Sequence, residues 1–232
     1  MAKINELYYD IREAVNEYSD DTELDQRYVM YLYNTKRAKY LRQDLNRYER
    51  TVDVSAQQTF CIKLEEVDAT ECSTSFNCEK ILRSTVKIPK PIELHTKVAL
   101  TSVKPTKLIA LPFNFITKER AAYVSDSPFS KAIYAFYDPT GYIYVYSKSV
   151  INLLDCITIT GIFENPLELK NFKNCCDCTN TATVCFDENT TEYPLPAHLI
   201  DLIKNEIVAE IIRKKQIPED KENDATDTQL QS

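Results

Sequence analysis

The sequence predicts an α+β chain: an N-terminal helical hairpin, a central antiparallel β-sandwich or barrel, and a C-terminal helix with an extended tail. Three observations predict it. Apolar residues recur at helical spacing over residues 3–49 and again after Tyr193. Between them, from about residue 54, they fall in short runs broken by turn residues, which is the pattern of strands. Only two glycines occur among 232 residues, so the turns must be made with Asn, Asp, Pro and Ser.

Each element has its own justification. Over residues 3–18, Ile4, Leu7, Tyr8, Ile11, Val15 and Tyr18 share one helical face. The SDDTELD segment at 19–25 supplies acidic and hydroxyl side chains suited to capping a second helix. That helix is expected over about 22–49, with Leu24, Tyr28, Tyr31, Leu32, Leu41, Leu45 and Tyr48 as its apolar positions. The connection is short enough for the two helices to pair as a hairpin.

TFCIKLEEV alternates at period two through Phe60, Ile62 and Leu64. TVKIPKPIEL (85–94) and LIALPF (108–113) contain prolines, which lack a ladder donor, so they belong at sheet edges or in bulges. KAIYAFYDPTGYIYVYS (131–147) reads as a hairpin, with Pro139 presetting φ and Gly141 free to take positive φ. LLDCITITGIFENP (153–166) sets Cys156, Thr158 and Thr160 against Ile157 and Ile159 on the two faces of another strand. Residues 165–190 are polar and Cys-rich, expected as a loop with a short strand at TATVCF. In YPLPAHLIDLIKNEIVAEIIRKK (193–215), prolines at the first turn are tolerated, and Leu199, Ile200, Ile203, Ile207, Ile211 and Ile212 form a wide apolar face. The expected boundaries are 1–52 for the hairpin, 53–192 for the β-rich domain, 193–215 for the C-terminal helix and 216–232 for a flexible acidic tail.

Composition bounds the function. A hydrophobic fraction of 44% suffices for a core. Tyr, at 15 against 9 Phe and no Trp, suits interfaces and half-buried sheet faces alike. A net charge of −7 argues against sequence-independent nucleic-acid binding as the main task. Two glycines cannot build a dinucleotide fingerprint, a phosphate-binding loop or a nucleophile elbow. No secretory signal and no membrane-spanning apolar run is visible, so the eight cysteines are expected to be reduced thiols of a cytosolic protein.

The candidate sites are few. His95 and His198 are the two imidazoles, and neither stands in a nucleophile motif, so no catalytic residue is expected. The pairs Asp20-Asp21 and Glu65-Glu66 are adjacent in sequence and read as solvated carboxylates. Cys175 and Cys178 form a C-x-x-C, with Cys176 between them and Cys185 close by, while Cys72 and Cys78 are separated by five residues. Tetrahedral zinc needs four such ligands, so Cys175, Cys178, Cys185 and Cys72 are the alternative to free loop thiols. Cys61 and Cys156 fall inside strands as small buried hydrophobes. The basic run Lys36, Arg37, Lys39, Arg42, Arg47 and Arg50 is either a solvated face or a contact for an acidic partner. Interspersed Asp44 and Glu49 favour a protein partner over DNA.

INELYYDIREAVNEYSDD (4–21), RYVMYLYNTKRAKYLRQDLN (27–46) and EYPLPAHLIDLIKNEIVAEIIRKKQIPEDKENDA (192–225) resemble the ends of head-to-tail connector (ring) proteins of crAss-like bacteriophages. The resemblance covers the two ends and not the β region. It implies a structural virion protein without cofactor or enzymatic activity, assembled in the host bacterial cytoplasm. It further implies a ring between portal and tail that continues the DNA channel. Its partners would be copies of itself, the portal protein, other ring or tail proteins and the passing genomic DNA, with no membrane. Lys36 to Arg50, Ile217 and Leu230 are then the partner-binding candidates. The rival reading is a cytosolic zinc-stabilised module that binds protein or nucleic acid.

Overall fold

The structure is a computed structural model that describes residues 3–16, 24–48, 53–68, 80–95, 97–106, 112–124, 132–146, 154–172 and 192–216. Ile4, Leu7, Ile11 and Val15 stack on one face of α1 (Ile4–Asn16) and are its buried residues, as their spacing requires. Helix α2 (Gln26–Tyr48) begins where the Asp25 carboxylate accepts the Arg27 N–H at 3.0 Å, a side-chain cap for an orphan donor. The remainder of the expected capping segment, together with Asp20 and Asp21, lies outside the described residues.

The buried face of α2 is only partly the one the apolar count predicts: Leu32 and Leu41 are buried, and Leu24 and Leu45 pack against the same core. Tyr28 and Tyr31 are exposed, and the face instead runs through Val29, Tyr33, Arg37 and Leu41, flanked by Met30 and Leu32. A charged residue occupies the middle of a four-residue repeat, which breaks the stripe for any count of apolar side chains.

Seven strands follow among the described residues: β1 (Gln58–Asp68), β2 (Lys80–Ser84), β3 (Leu100–Pro105), β4 (Asn114–Phe115), β5 (Tyr134–Tyr137), β6 (Ile143–Tyr146) and β7 (Cys156–Gly161). Their order across the sheet is β3-β7-β1-β2-β6-β5-β4. All neighbours are antiparallel except β4 and β5. The one parallel pair departs from the antiparallel sheet expected. Its cause is a short helix, α3 (Lys118–Val124), which carries the chain across between β4 and β5, as a parallel neighbour demands.

The sheet curls until its edges meet. Phe113, entering β4, donates its N–H to Val103 O of β3 at 2.7 Å. Phe60, Val103, Phe113, Val145, Ile157 and Ile159 then share one buried interior, giving a nearly closed barrel. Alternation sends Ile81, Phe136, Tyr144 and Tyr146 to the other face, where Ala121 of α3 joins them.

The predicted hairpin is present, with Tyr134 opposite Tyr146 and Tyr137 opposite Ile143. Gly141 has φ of 98° and donates to Asp138 O at 2.9 Å, so the turn uses the positive φ that glycine tolerates. TVKIPKPIEL forms no ladder strand. It crosses as an extended segment in which Ile92 N–H donates to Ile162 O at 3.0 Å and Ala99 N–H to Ile92 O at 2.8 Å. Most of LIALPF (108–111) and all of TATVCF lie outside the described residues. Pro166–Asn171, expected as loop, forms a 3-10 turn capped by Asn165, which accepts the Leu167 N–H at 3.2 Å.

Gly161 answers a different need. A Cβ there would sit 2.7 Å from Leu100 Cδ2 and 2.9 Å from the Ala99 carbonyl oxygen. Gly161→Ala is therefore expected to cost about 1–3 kcal/mol through overpacking. The urea midpoint measures this, and an unchanged midpoint would mean that residues 97–100 shift freely.

Helix α4 (Ala197–Gln216) buries Leu199, Ile203, Ile207 and Ile211, while Ile200 and Ile212 are half-buried at the margin of the stripe. It packs against both α1 and α2, so the expected hairpin is part of a three-helix layer. The same cluster takes in Ala56, Ile92, Ala99 and Ile162 of the barrel, and the two layers share that core. Among the described residues no helix is long and apolar enough to cross a membrane. The expected tail, with Ile217 and Leu230, lies outside the described residues.

Candidate assembly surface

The basic run sits on the half of α2 that faces α4 and the barrel. Lys36 Nζ lies 2.9 Å from Glu206 Oε1 and 2.8 Å from Glu210 Oε2, and Lys39 Nζ lies 2.9 Å from the same Glu206 oxygen. Arg42 donates to Glu93 O at 3.1 Å and to Glu164 Oε1 at 3.0 Å. Much of the acidic surface that these cations meet is supplied by their own chain. Arg47 is the basic residue of the last turn of α2, where a cation suits the helix dipole, and Arg50 lies outside the described residues.

Arg37 is fully buried. Its Nε donates to Pro194 O at 2.7 Å, its Nη1 to Phe163 O at 2.7 Å and its Nη2 to Ala56 O at 3.2 Å. The guanidinium thus joins the middle of α2 to the approach to β1, the exit of β7 and the approach to α4. It also stands 5.8 Å from the centre of the Tyr193 ring. Burial lowers its pKa, but from a starting value so high that the charge persists.

Around it lies a polar network that the sequence reading does not pick out. Tyr193 donates its O–H to Asn34 Oδ1 at 2.7 Å, and Asn34 Nδ2 donates to Asn165 Oδ1 at 3.2 Å. Tyr33 meets the Tyr193 ring edge-on at 6.0 Å, and burial raises the pKa of both phenols. The available signal was positional: Arg37 follows Tyr33 and precedes Leu41 by four residues each, so it had to face the core with them.

Electrostatics tie α2 to α4 most strongly at Glu206. Partial burial pushes its carboxyl upward, but hydrogen bonds from Tyr40, Lys36 and Lys39 outweigh this and hold it at about 2. Hydrogen bonds from Lys36 and Lys214 likewise lower Glu210. A carboxylate depressed from 4.5 stabilises the fold above that value, and the contribution fades as pH falls toward 2. With the Glu206 side chain 27% exposed, solvent screening reduces its share to about 1–2 kcal/mol. Stability should therefore fall more steeply below about pH 5 in the natural chain than in Glu206→Gln. Urea titrations at stepped pH test this, and parallel curves would refute it.

The other candidates sit apart. His198 is exposed with Nε2 3.6 Å from Asp44 Oδ2, on the solvent side of α4 and not amid apolar residues. His95 is exposed, and its backbone N–H donates to Asn46 Oδ1 at 3.3 Å. Glu65 receives Arg83 at 2.6 Å. Cys72, Cys78, Cys175, Cys176, Cys178 and Cys185, hence every candidate zinc ligand, lie outside the described residues. Cys61 and Cys156 are buried together, as their strand positions predict. Reduced thiols are expected throughout, and the structure corrects this: Cys61 is free, but Cys156 is disulfide-bonded. A compartment argument addresses average redox state, whereas a disulfide depends on the distance between two particular sulfurs.

Among the described residues, the large apolar side chains that the helix layer leaves to solvent are mostly tyrosines. Tyr9 of α1 is 55% exposed and Tyr31 of α2 is 63% exposed. The sequence matches the family described as phage tail ring protein 2 over residues 6–229. It is 27% identical over 227 residues to "Ring protein 2" of Bacteroides phage crAss001, covering 96% of each chain. That similarity runs through the β region, which the resemblance at the two ends did not reach. The chain belongs to the phage tail ring protein 2 family and is a structural phage ring protein.

Proposed function

We propose that the chain is one subunit of a connector ring that joins portal to tail in a short-tailed phage and continues the DNA channel between them. The observation that carries the reading is the similarity to a ring protein across 96% of both chains. In this reading the protein resides at the head–tail junction of the virion, and it catalyses no reaction. A ring closes through head-to-tail contact between two different patches of the same subunit. The α2–α4 ion pairs and Arg37 hold the helix layer as one body, and Tyr9 and Tyr31 offer contact area at little cost in side-chain entropy. Residues 217–232 then reach an adjoining subunit, with Ile217 and Leu230 as apolar anchors. Portal protein and further ring or tail proteins cover the two rims.

Negative-stain imaging of the purified chain, alone and with its portal protein, tests this. Closed rings that seat on the portal are expected. Rings that join other tail components but ignore the portal would defeat the placement, and a chain that stays monomeric in both samples would defeat the ring itself.

A further inference from the structure

The barrel has a seam. Strands β3 and β4 are joined by Phe113 N–H to Val103 O and part beyond it, leaving a cavity of about 520 Å³ between Leu100 of β3 and Phe115 of β4. Its floor is apolar and half-buried, with Ile116 and Tyr137 beside those two residues. Lys97, Lys118 and Arg120 stand on the rim with Glu93 and Glu119. Lys118 is held by Asp138 at 2.5 Å and Glu93 by Lys90 at 3.5 Å. Lys97 and Arg120 make no ion pair among the described residues, so two cations face the single carboxylate of Glu119. An open strand edge, an apolar floor and surplus positive charge suit an extended acidic segment with an apolar side chain.

Residues 217–232 of this chain have that chemistry. They carry five carboxylates (Glu219, Asp220, Glu222, Asp224 and Asp227) against Lys221, with Leu230 beyond them. The path favours a neighbour. Helix α4 runs antiparallel to α2, from His198 beside Asp44 to Lys214 beside Tyr28. The groove lies at the other end of α2, where Arg42 holds Glu93, roughly 20 Å along the helix from Tyr28. The C-terminal end of α4 therefore points away from its own groove, and a segment of this length, if extended, would span roughly 50 Å.

We propose that residues 217–232 of one copy dock in the β3–β4 groove of a neighbouring copy, Leu230 on the apolar floor and Asp224 and Asp227 against Lys97 and Arg120. The inference rests on the ring reading, because it needs copies side by side.

The test mixes full-length chain labelled with heavy nitrogen and unlabelled chain under ring-forming conditions. A zero-length carbodiimide then couples lysine amines to carboxylates in contact. Mass spectrometry should find Lys97 joined to carboxylates of 217–232 in pairs of mixed isotope. Arg120→Glu should reduce these links about tenfold, and adding Asp224→Lys and Asp227→Lys should restore links from the introduced lysines to the groove carboxylates. Arg120 is exposed, so the substitution leaves folding intact. Links confined to one isotope would mean docking on the same subunit and would overturn the proposal. Imaging of the same samples separates the two readings: rings without mixed-isotope links sink the docking alone, and particles without rings sink both.

Discussion

Arg37→Met is expected to lower stability by about 4 kcal/mol. Methionine fills much of the same volume and removes a buried charge, which alone favours the variant. It also withdraws the donors from the carbonyls of Ala56, Phe163 and Pro194, and each buried carbonyl left without one costs about 1–3 kcal/mol. The second effect wins because three acceptors are lost against one ion. Arg37→Lys should fall between, near 2 kcal/mol, since an ammonium keeps the charge but not the planar fork that reaches three directions. For a chain of 232 residues, the methionine variant should melt roughly 8–16 °C lower. A loss under about 1 kcal/mol would show that the three segments hold together without this staple.

Ile207→Ala should cost about 3 kcal/mol, the other large loss. Ile207 is completely buried, midway along the row that α4 presents to α1 and α2. Its truncation leaves a void in a core shared by helices and barrel, so the layers cannot collapse to fill it. Ile212→Ala, half-buried at the margin of the row, should stay within about 1 kcal/mol. Urea midpoints of the two variants compare them directly. Equal costs would place Ile212, not Ile207 alone, in the core of the helix layer.

Local pattern determined several elements outright. The repeat of Ile4, Leu7, Ile11 and Val15 allows no arrangement but a one-sided helix, and the row Leu199, Ile203, Ile207 and Ile211 does the same for α4. The Asp138-Pro139-Thr140-Gly141 turn set the β5–β6 register because its backbone angles bring the flanking aromatic strands together. Family membership was legible at the chain ends for a related reason: helices and their caps are written in contiguous residues.

Tertiary structure decided the rest. Whether Tyr28 or Tyr33 faces the core depends on where α4 lies, and α4 is far from α2 in sequence: the Arg37–Pro194 bond at its approach spans 157 residues. Arg37 is charged in any reading of composition, and only three carbonyls converging from separate segments make its burial tolerable. The parallel β4–β5 pair, the contact of β3 with the approach to β4, and the groove between them follow from how the sheet curls. Curling is set by the packing of Phe60, Val103, Phe113 and Ile159 against one another, a many-body condition that no single segment of sequence contains.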